Sequence, residues 1–494
     1  MELFLIGHDY RYAVEQMLLT LYPAERPLYP DAPSGVPAAA ISLCRGARYA
    51  VARCRLTTAT GVYRGEARAA LASFTDALTE ERLLQRIVKL CFYRAALRAG
   101  APRSVWGALT GIRPATLLRR LLESGLSEQA ALWRFQRDYD VSVARAALCL
   151  HTARAATEAR RTLTQRDVCL YIGIPFCPTR CAYCSFVSQD VSRSMEMIPA
   201  FLTALRRDME ATAAAVRRGG LRVVSVYIGG GTPTTLNAAQ LSALCAWLSE
   251  LFDLGGLREY CVEAGRPDTI TPEKLAVLQA HGVTRLSVNP QTMSDVVLAA
   301  IGRKHTAAET RAAVRMARAA GTFELNMDLI AGLPADSAAG FADTLDAVLA
   351  LSPENITVHT LARKKGSQIL LSETPLPGGD EVEAMLDTAR GRLTAAGYVP
   401  YYLYRQKFTS GGFENVGWTR PGRASLYNLC IMEELVSILA MGGGASTKLV
   451  TGDGRIERVF APKYPREYCA GIDRVVADKE KIVAFYEALC RQQY

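Results

Sequence analysis

The sequence predicts an α/β protein whose centre is a run of alternating strands and helices from Val168 to about Thr360. Two observations support this fold class. Short apolar, β-branched runs recur along this region, and helical stretches such as residues 195–218 and 238–252 separate them. Such alternation indicates parallel strands joined by right-handed crossovers. Polar or glycine-rich motifs follow several of the predicted strands, which is where a parallel barrel or sheet carries its chemistry.

Six strands are predicted in the centre, and smaller regions flank it. The strands are Cys169–Ile174, Arg222–Ile228, Glu259–Glu263, Arg285–Val288, Glu324–Leu329 and Asn355–His359. Residues 1–105 predict a small α/β module of unknown role, 106–165 a helical connector, 166–365 the α/β centre, and 366–494 a C-terminal α+β domain that covers the substrate. In this last region, residues 427–441 predict one helix.

Composition limits the possible partners and location. A chain of 494 residues with 50% hydrophobic content predicts two or three domains with substantial cores. The net charge of +10 comes from Lys and Arg scattered over helical stretches, so we expect no nucleic-acid partner, whereas an acidic small substrate is compatible. The N-terminus does not resemble a signal peptide, no apolar run has the length of a membrane span, and the cysteines have no regular spacing. We therefore expect a cytoplasmic, reduced protein without a membrane span. We expect a monomer.

Three cysteines form the motif around which the chain is organised. Cys177, Cys181 and Cys184 stand in a Cys-x3-Cys-x2-Cys run directly after a predicted strand. A closed structural metal site uses four protein ligands, whereas three leave one position open. A [4Fe–4S] cluster on these thiolates would keep one iron free to chelate S-adenosylmethionine. The alternatives are a structural zinc site, although no fourth Cys or His follows within forty residues, or a redox pair.

The segment Tyr171-Ile-Gly-Ile-Pro-Phe-Cys-Pro-Thr-Arg-Cys-Ala-Tyr-Cys184 resembles the radical S-adenosylmethionine enzymes. Within them it is similar to the oxygen-independent coproporphyrinogen III oxidase group, and most to its HemZ-type branch. The resemblance implies a partial (β/α)6 barrel, a [4Fe–4S] cluster that delivers one electron to the sulfonium, and a 5′-deoxyadenosyl radical that abstracts hydrogen from a tetrapyrrole substrate. It also implies an electron donor of flavodoxin or ferredoxin type.

The same resemblance implies a set of site residues. Gly229-Gly-Gly-Thr-Pro-Thr234 follows the second predicted strand, and successive glycines allow close backbone approach to a ligand. Tyr171 is expected on the substrate side as a catalytic residue. The residues expected to contact S-adenosylmethionine are Gly230, Gly231, Thr232, Glu263, Gln291, Arg303 and Asp328.

Two positions depart from the main oxidase pattern. Gly173 stands where those oxidases carry His, and Phe186 stands where they carry a further Cys. Phe186 resembles the heme-chaperone relatives. The leading hypothesis is oxidative decarboxylation of coproporphyrinogen III to protoporphyrinogen IX without oxygen. A heme-binding or heme-transfer protein on the same scaffold, and a radical enzyme with another substrate, remain as alternatives. Arg405, Lys407, Arg420 and Arg423 are further candidates for pairing with propionates.

Overall fold

The computed structural model describes residues 1–32, 35–185, 189–190, 194–364, 366–371, 375–406, 409–451 and 454–491. These residues form two compact units, Met1–Leu150 and His151–Tyr494. Within the described ranges, none of the helices combines the length and the apolar character needed to cross a membrane.

The first unit contains a four-stranded sheet with two helices packed on it. The strands are β1 (Glu2–Ile6), β2 (Ala38–Arg45), β3 (Tyr49–Thr58) and β4 (Gly61–Ala70), and the helices are α1 (Arg11–Leu21) and α2 (Ala77–Arg98). Strand β1 pairs in parallel with β2, and the other neighbours are antiparallel. Apolar side chains alternate along β3, so one face of the sheet joins the core with α1 and α2. Two further helices follow in this unit, α3 (Pro114–Glu123) and α4 (Glu128–Tyr139), and α5 (Val143–Arg161) contains the boundary between the two units.

The second unit confirms the six predicted strands and their order. They are β5 (Asp167–Ile174), β8 (Arg222–Gly230), β9 (Glu259–Val262), β10 (Arg285–Ser287), β11 (Glu324–Ala331) and β12 (Asn355–Thr360), with the short strands β6 (Phe176–Cys177) and β7 (Gln189–Asp190) pairing separately. Each of the six pairs in parallel with the next, so the fold is the expected partial parallel barrel. The strands are buried on both faces, which explains their continuous rather than alternating apolar pattern.

Helices connect these strands and cover the sheet. They are α6 (Ile198–Arg218), α7 (Ala238–Leu251), α8 (Pro272–Ala280), α9 (Asp295–Ala300), α10 (Ala307–Ala320) and α11 (Ala338–Ala350). Local sequence signals fix where they begin. Helix α7 starts with a capping box in which Asn237 and Gln240 each accept a hydrogen bond from the other's backbone N–H group. Helix α10 uses Thr306 and Glu309 in the same way.

The C-terminal region extends the same sheet at both edges. Its strands are β13 (Val399–Arg405), β14 (Glu414–Thr419), β15 (Ser437–Gly442), β16 (Ser446–Val450) and β17 (Ile456–Phe460). Over the described residues, the sheet has eleven strands in the order β13-β14-β12-β11-β10-β9-β8-β5-β15-β16-β17. Its helices are α12 (Gln368–Leu371), α13 (Gly379–Ala395), α14 (Leu426–Glu433), α15 (Pro465–Ala470), α16 (Ile472–Ala477) and α17 (Glu480–Arg491).

One element prediction in this region is wrong. Residues 427–441 were expected to form a single helix, but α14 ends at Glu433, and Glu434 adopts a left-handed conformation with φ 56°. The chain then enters β15, which pairs in parallel with β5. The stretch from Leu435 to Met441 is apolar except for Ser437 and is buried on both faces of a sheet, so it lacks the alternation that would distinguish it from a helix.

Strand β15 approaches β5 very closely at its last residue. Gly442 has φ 100°, and a Cβ atom there would lie 2.2 Å from the carbonyl oxygen of Gly173. A Cβ atom on Gly173 would in turn lie 3.3 Å from both the Gly443 carbonyl oxygen and the Tyr171 ring. Both positions therefore use the small size of glycine, and Gly442 also uses its freedom to adopt positive φ.

A buried ion pair attaches the C-terminal helices to α6 and β15. Asp208, which is fully buried in α6, pairs with Lys479 at 2.7 Å. The same carboxylate accepts hydrogen bonds from the Tyr468 hydroxyl at 2.7 Å and from the Gly442 amide at 3.1 Å. Lys479 also donates to the Ala440 carbonyl at 2.9 Å. These partners satisfy both charges, which is the condition for burying them.

Candidate active site

The carboxyl ends of the parallel strands surround one cavity of about 400 Å³. Ten of the eleven site residues predicted from the sequence line it, and Tyr171 is the exception among the described residues. The ten are Cys177, Cys181, Cys184, Gly230, Gly231, Thr232, Glu263, Gln291, Arg303 and Asp328. Residues from the C-terminal region, including Tyr404 and Asn415, complete the wall. Motifs far apart in the chain therefore meet because parallel strands end on the same side.

The cysteine loop is fixed by backbone hydrogen bonds. The amide of Ala182 donates to Ile301 at 3.0 Å, and the Ala182 carbonyl accepts from Ile369 at 3.0 Å. Cys181 is 8% exposed, and Cys177 and Cys184 are half-buried. In the described part of the chain, no three His, Cys, Asp or Glu side chains converge closely enough to hold a single metal ion. The three thiols face one space without meeting at one point.

The glycine segment packs against this loop. The Gly231 amide donates to the Ile174 carbonyl at 2.8 Å, and the Thr232 amide donates to the Phe176 carbonyl at 2.7 Å. A Cβ atom on Gly231 would lie 2.5 Å from the Phe176 carbonyl oxygen. Glycine is therefore required for the loop to approach. These two amides are therefore bonded within the protein and hold the glycine segment against the cysteine loop.

Glu263 and Asp328 form a carboxylate pair on one wall. Burial, together with the neighbouring Asp328, raises the pKa of Glu263 to about 8. Burial also acts to raise the pKa of Asp328, but His359 and the Asn326 amide outweigh it, so that pKa is lowered. Asn326 donates to Asp328 at 2.8 Å, and His359 Nε2 lies 3.7 Å from Asp328 Oδ2. At neutral pH, Asp328 is ionised and Glu263 holds a proton.

Gln291 and Arg303 lie on the adjacent wall. Gln291 has φ 70°, an uncommon conformation for a residue other than glycine, and backbone bonds to Asp328 and Ile330 hold it there. Its Oε1 atom is buried and, among the described residues, has no hydrogen-bond partner. Arg303 donates to the Asn289 carbonyl at 2.6 Å and to the Tyr183 hydroxyl at 3.0 Å. An orphaned buried acceptor at a cavity wall indicates a missing ligand donor.

Tyr171 lies behind the cavity wall in a cluster of aromatic rings. Its ring centroid is 6.2 Å from that of Tyr227 and 6.4 Å from that of Tyr427. Of these three rings, Tyr227 lines the cavity. Burial raises the pKa of Tyr171, so its hydroxyl stays protonated. The structure thus separates Tyr171 from the cavity by one aromatic ring.

Sequence reasoning missed several cations at the cavity. Lys364, Arg266 and Arg285 all line it. Arg266 pairs with Asp268 at 2.9 Å and Arg285 with Glu259 at 3.2 Å. No carboxylate of the described residues pairs with Lys364. Burial lowers the pKa of Lys364, whereas nearby Cys184 acts to raise it. Their place in the chain could have identified two of them. Arg266 and Lys364 each follow the end of a central strand, in loops where cavity residues are expected.

The predicted propionate arginines have other partners. Arg423 pairs with Glu324 at 2.8 Å, and Arg420 packs over the Tyr398 ring at 5.3 Å. Arg405 donates to the Gly412 carbonyl at 2.7 Å. These three are not among the described residues that line the cavity, so that hypothesis is wrong for them. Lys407 and Phe186 lie outside the described residues.

The sheet and the cysteine cavity define a radical S-adenosylmethionine enzyme, and comparison with known proteins agrees. The model of the Radical SAM superfamily matches residues 171–348. The chain is 39% identical over 382 residues to the oxygen-independent coproporphyrinogen-III oxidase-like protein HemZ of Bacillus subtilis, covering 76% of each chain. It is 29% identical to the heme chaperone HemW of Haemophilus influenzae, covering 61% of this chain and 76% of the relative.

A solved structure shows the same fold. It is coproporphyrinogen III oxidase (HemN) from Escherichia coli, a radical SAM enzyme, with a TM-score of 0.51 and 26% identity over 65% of this chain and 72% of that one. The chain therefore belongs to the radical SAM superfamily, in the family of the oxygen-independent coproporphyrinogen-III oxidase-like proteins.

The cofactors of this superfamily are a [4Fe–4S] cluster and S-adenosylmethionine, and the cavity fits both. Three thiols are the donor set of a cluster with one iron left open. The orphaned Gln291 Oε1 supplies an acceptor for a hydroxyl or amino group of S-adenosylmethionine.

Proposed function

We propose that the protein converts coproporphyrinogen III to protoporphyrinogen IX by oxygen-independent oxidative decarboxylation of two propionates. The observation that carries this proposal is the single cavity in which the three cysteines, the predicted S-adenosylmethionine contacts and the unpaired Lys364 come together. The HemZ and HemN similarities support the substrate class. For each propionate, one hydrogen atom, one carbon dioxide molecule and one electron leave, and a vinyl group remains.

The residues of the cavity have distinct roles in this proposal. Cys177, Cys181 and Cys184 hold the cluster. When bound, the cluster and S-adenosylmethionine supply a 5′-deoxyadenosyl radical that abstracts hydrogen from the substrate. The remaining predicted contacts seat S-adenosylmethionine: Gly230, Gly231, Thr232, Glu263, Gln291, Arg303 and Asp328. Tyr171 packs against Tyr227 and positions this ring in the cavity wall.

Lys364 provides the substrate contact of this proposal. Its half-buried ammonium group lines the cavity and has no carboxylate partner in the described ranges. A propionate carboxylate supplies the missing charge, and a charged hydrogen bond of this kind is stronger than a neutral one. The reaction also needs a one-electron donor, which we assign to the flavodoxin or ferredoxin class, and an acceptor for the electron released on decarboxylation. We place the reaction in the cytoplasm.

The test is an anaerobic reaction of reconstituted protein with a one-electron reductant, S-adenosylmethionine and coproporphyrinogen III, analysed by mass spectrometry. We expect 5′-deoxyadenosine together with a tetrapyrrole that has lost two carboxyl groups and their associated hydrogens. Deoxyadenosine without tetrapyrrole conversion would contradict the substrate and leave a radical enzyme with another target.

A second candidate is heme binding and transfer on the same scaffold. The observation that favours it is the 29% identity to the heme chaperone HemW. Heme titration of the cluster-loaded protein distinguishes the two functions. Stoichiometric heme binding with no tetrapyrrole conversion supports the carrier, whereas conversion with only weak heme binding supports the decarboxylase.

A further inference from the structure

Arg266 is a buried cation beside the cysteine loop for which the proposed function supplies no role. It follows strand β9 and is 3% exposed. Its Nε and Nη2 atoms donate to the two oxygens of Asp268, both at 2.9 Å. Its Nη1 atom donates to the Thr179 hydroxyl at 3.0 Å and lies 3.8 Å from Cys181 Sγ as a second, longer hydrogen bond. Thr179 and Cys181 both belong to the cysteine loop.

This arrangement fixes the direction of a charge pair. The bidentate contact with Asp268 holds the guanidinium plane, which leaves Nη1 free to face the loop. The Asp268 side chain is 25% exposed, so the negative end of the pair lies toward solvent and the positive end toward Cys181. Solvent screens the negative end more than the buried positive end. The net field at the Cys181 sulfur is therefore positive.

A positive field and an N–H donor at a cluster sulfur favour the reduced cluster. Reduction adds one electron, and this extra negative charge spreads onto the cysteine sulfurs. Groups that surround the metal ligands and donate hydrogen bonds to them tune a metal centre in this way. Arg303 also hydrogen-bonds Cys181, in addition to Asn289 and Tyr183. Two buried guanidinium groups therefore face this sulfur, and Asp268 holds that of Arg266 in place.

We propose that Arg266, held by Asp268, is a positioning residue that raises the reduction potential of the cluster bound by Cys177, Cys181 and Cys184. It stabilises the reduced cluster after an electron arrives from a donor of flavodoxin or ferredoxin type. This role precedes any contact with the tetrapyrrole and holds for any substrate of the radical.

The test is a redox titration of the reconstituted full-length protein, followed by the electron paramagnetic resonance signal of the reduced cluster, without tetrapyrrole. Arg266→Met removes the positive end of the pair and Asp268→Asn removes the negative end. We expect Arg266→Met to lower the potential and Asp268→Asn to raise it. The expected size is about tenfold in the reduction equilibrium constant, which is about 59 mV for one electron.

Opposite signs separate electrostatic tuning from structural damage, because both substitutions break the same ion pair. Arg258→Gln is the matched control, since this exposed arginine precedes the same strand and donates to Thr162 at 2.9 Å. Its potential should equal that of the unmodified protein. If Arg266→Met fails to retain the cluster, Arg266→Lys replaces it. This variant keeps the positive charge, so its reduction potential should lie close to that of the unmodified protein.

An unchanged potential in Arg266→Met, or shifts of the same sign in Arg266→Met and Asp268→Asn, would overturn the proposal. Because the titration contains no tetrapyrrole, these outcomes are independent of whether coproporphyrinogen III is the substrate.

Discussion

Cys181 is the most enclosed of the three loop cysteines, at 8% exposed, and its neighbour Ala182 is hydrogen-bonded to both Ile301 and Ile369. We predict that Cys181→Ala abolishes cluster assembly, because two thiolates leave two irons of the cube without a protein ligand. Iron content and visible absorption after anaerobic reconstitution measure this. Cys245→Ala is the control, since Cys245 is fully buried in α7 and does not line the cavity. Retention of the cluster by Cys181→Ala would refute the ligand assignment.

Glu263 predicts a pH dependence of cofactor binding. Its pKa of about 8 means that a proton must leave before the carboxylate can accept a hydrogen bond from the amino group of S-adenosylmethionine. Affinity should therefore rise with pH, by up to about tenfold per unit below pH 8, and level off above it. Calorimetric titrations between about pH 6.5 and 9 measure this. Glu263→Gln should bind more weakly and lose the slope, and a slope preserved in that variant would assign it to another group.

The same shift makes a prediction about folding. A carboxyl group with a raised pKa binds more protons in the folded state than in the unfolded state between its ordinary pKa and about 8. The contribution of Glu263 to the free energy of unfolding of the ligand-free protein therefore falls as pH rises through this interval. Glu263→Gln should flatten this part of the pH–stability profile.

Lys364 predicts carboxylate specificity. Lys364→Met should weaken binding of coproporphyrin III, the stable oxidised form of the proposed substrate, by about tenfold or more, because a charged hydrogen bond contributes about 1.5–3 kcal/mol. Absorbance titration measures this, with the exposed Lys463→Met as control. S-adenosylmethionine affinity should not change. A loss of S-adenosylmethionine binding instead would place Lys364 in the cofactor site.

Residue types with a characteristic spacing could be predicted from the sequence, and residues defined by their surroundings could not. The cysteines and glycines were found because their chemistry depends on short intervals along the chain. Lys364 and Arg266 look like ordinary surface cations in the sequence. Their significance comes from burial and from the presence or absence of a carboxylate partner, which are properties of the folded chain.

At the scale of elements, the Asp208 ion pair connects α6, β15 and the segment that contains Lys479. We predict that Asp208→Asn destabilises the protein by about 3–5 kcal/mol, because Lys479 is left buried without a counter-charge. Denaturant unfolding measures this. Arg207→Gln is the matched control on the same helix, since its pair with Asp473 is solvent-exposed and is expected to contribute about 0–1 kcal/mol. Equal effects in the two variants would contradict the buried-charge argument.

The type of each element could be predicted in the centre of the chain, where strands and helices alternate. The prediction was wrong for β15, which lacks the alternating pattern of a strand. The six parallel strands were recognisable because each is bounded by glycine or polar residues and followed by a helix. Strand β15 follows α14 after three residues and is apolar after its first residue, Ser437, so length and composition alone favoured one continuous helix. Its identity as a strand depends on its pairing with β5, from which it is separated by more than 250 residues of sequence.

At the scale of the whole molecule, the net charge of +10 predicts that association with an acidic electron donor depends on salt. An acidic donor of flavodoxin or ferredoxin type should be attracted over long range, and added salt screens that attraction. We predict that the rate of cluster reduction by flavodoxin falls as ionic strength rises. Stopped-flow absorbance measures the rate, and a neutral one-electron reductant, whose rate should vary little with salt, is the control. A salt-independent rate with flavodoxin would argue against steering.

The contact between Gly173 and Gly442 has a consequence for the divergence of the family. The resemblance drawn from the sequence implies His at the position of Gly173 in the main oxidase branch. Here a Cβ atom at that position would lie 3.3 Å from both the Gly443 carbonyl oxygen and the Tyr171 ring. An exchange of that one residue between the branches therefore requires the Gly443 backbone and the Tyr171 ring to shift by a few tenths of an ångström. The two positions are expected to change together during evolution, and engineering that introduces the histidine should vary the end of β15 in the same library.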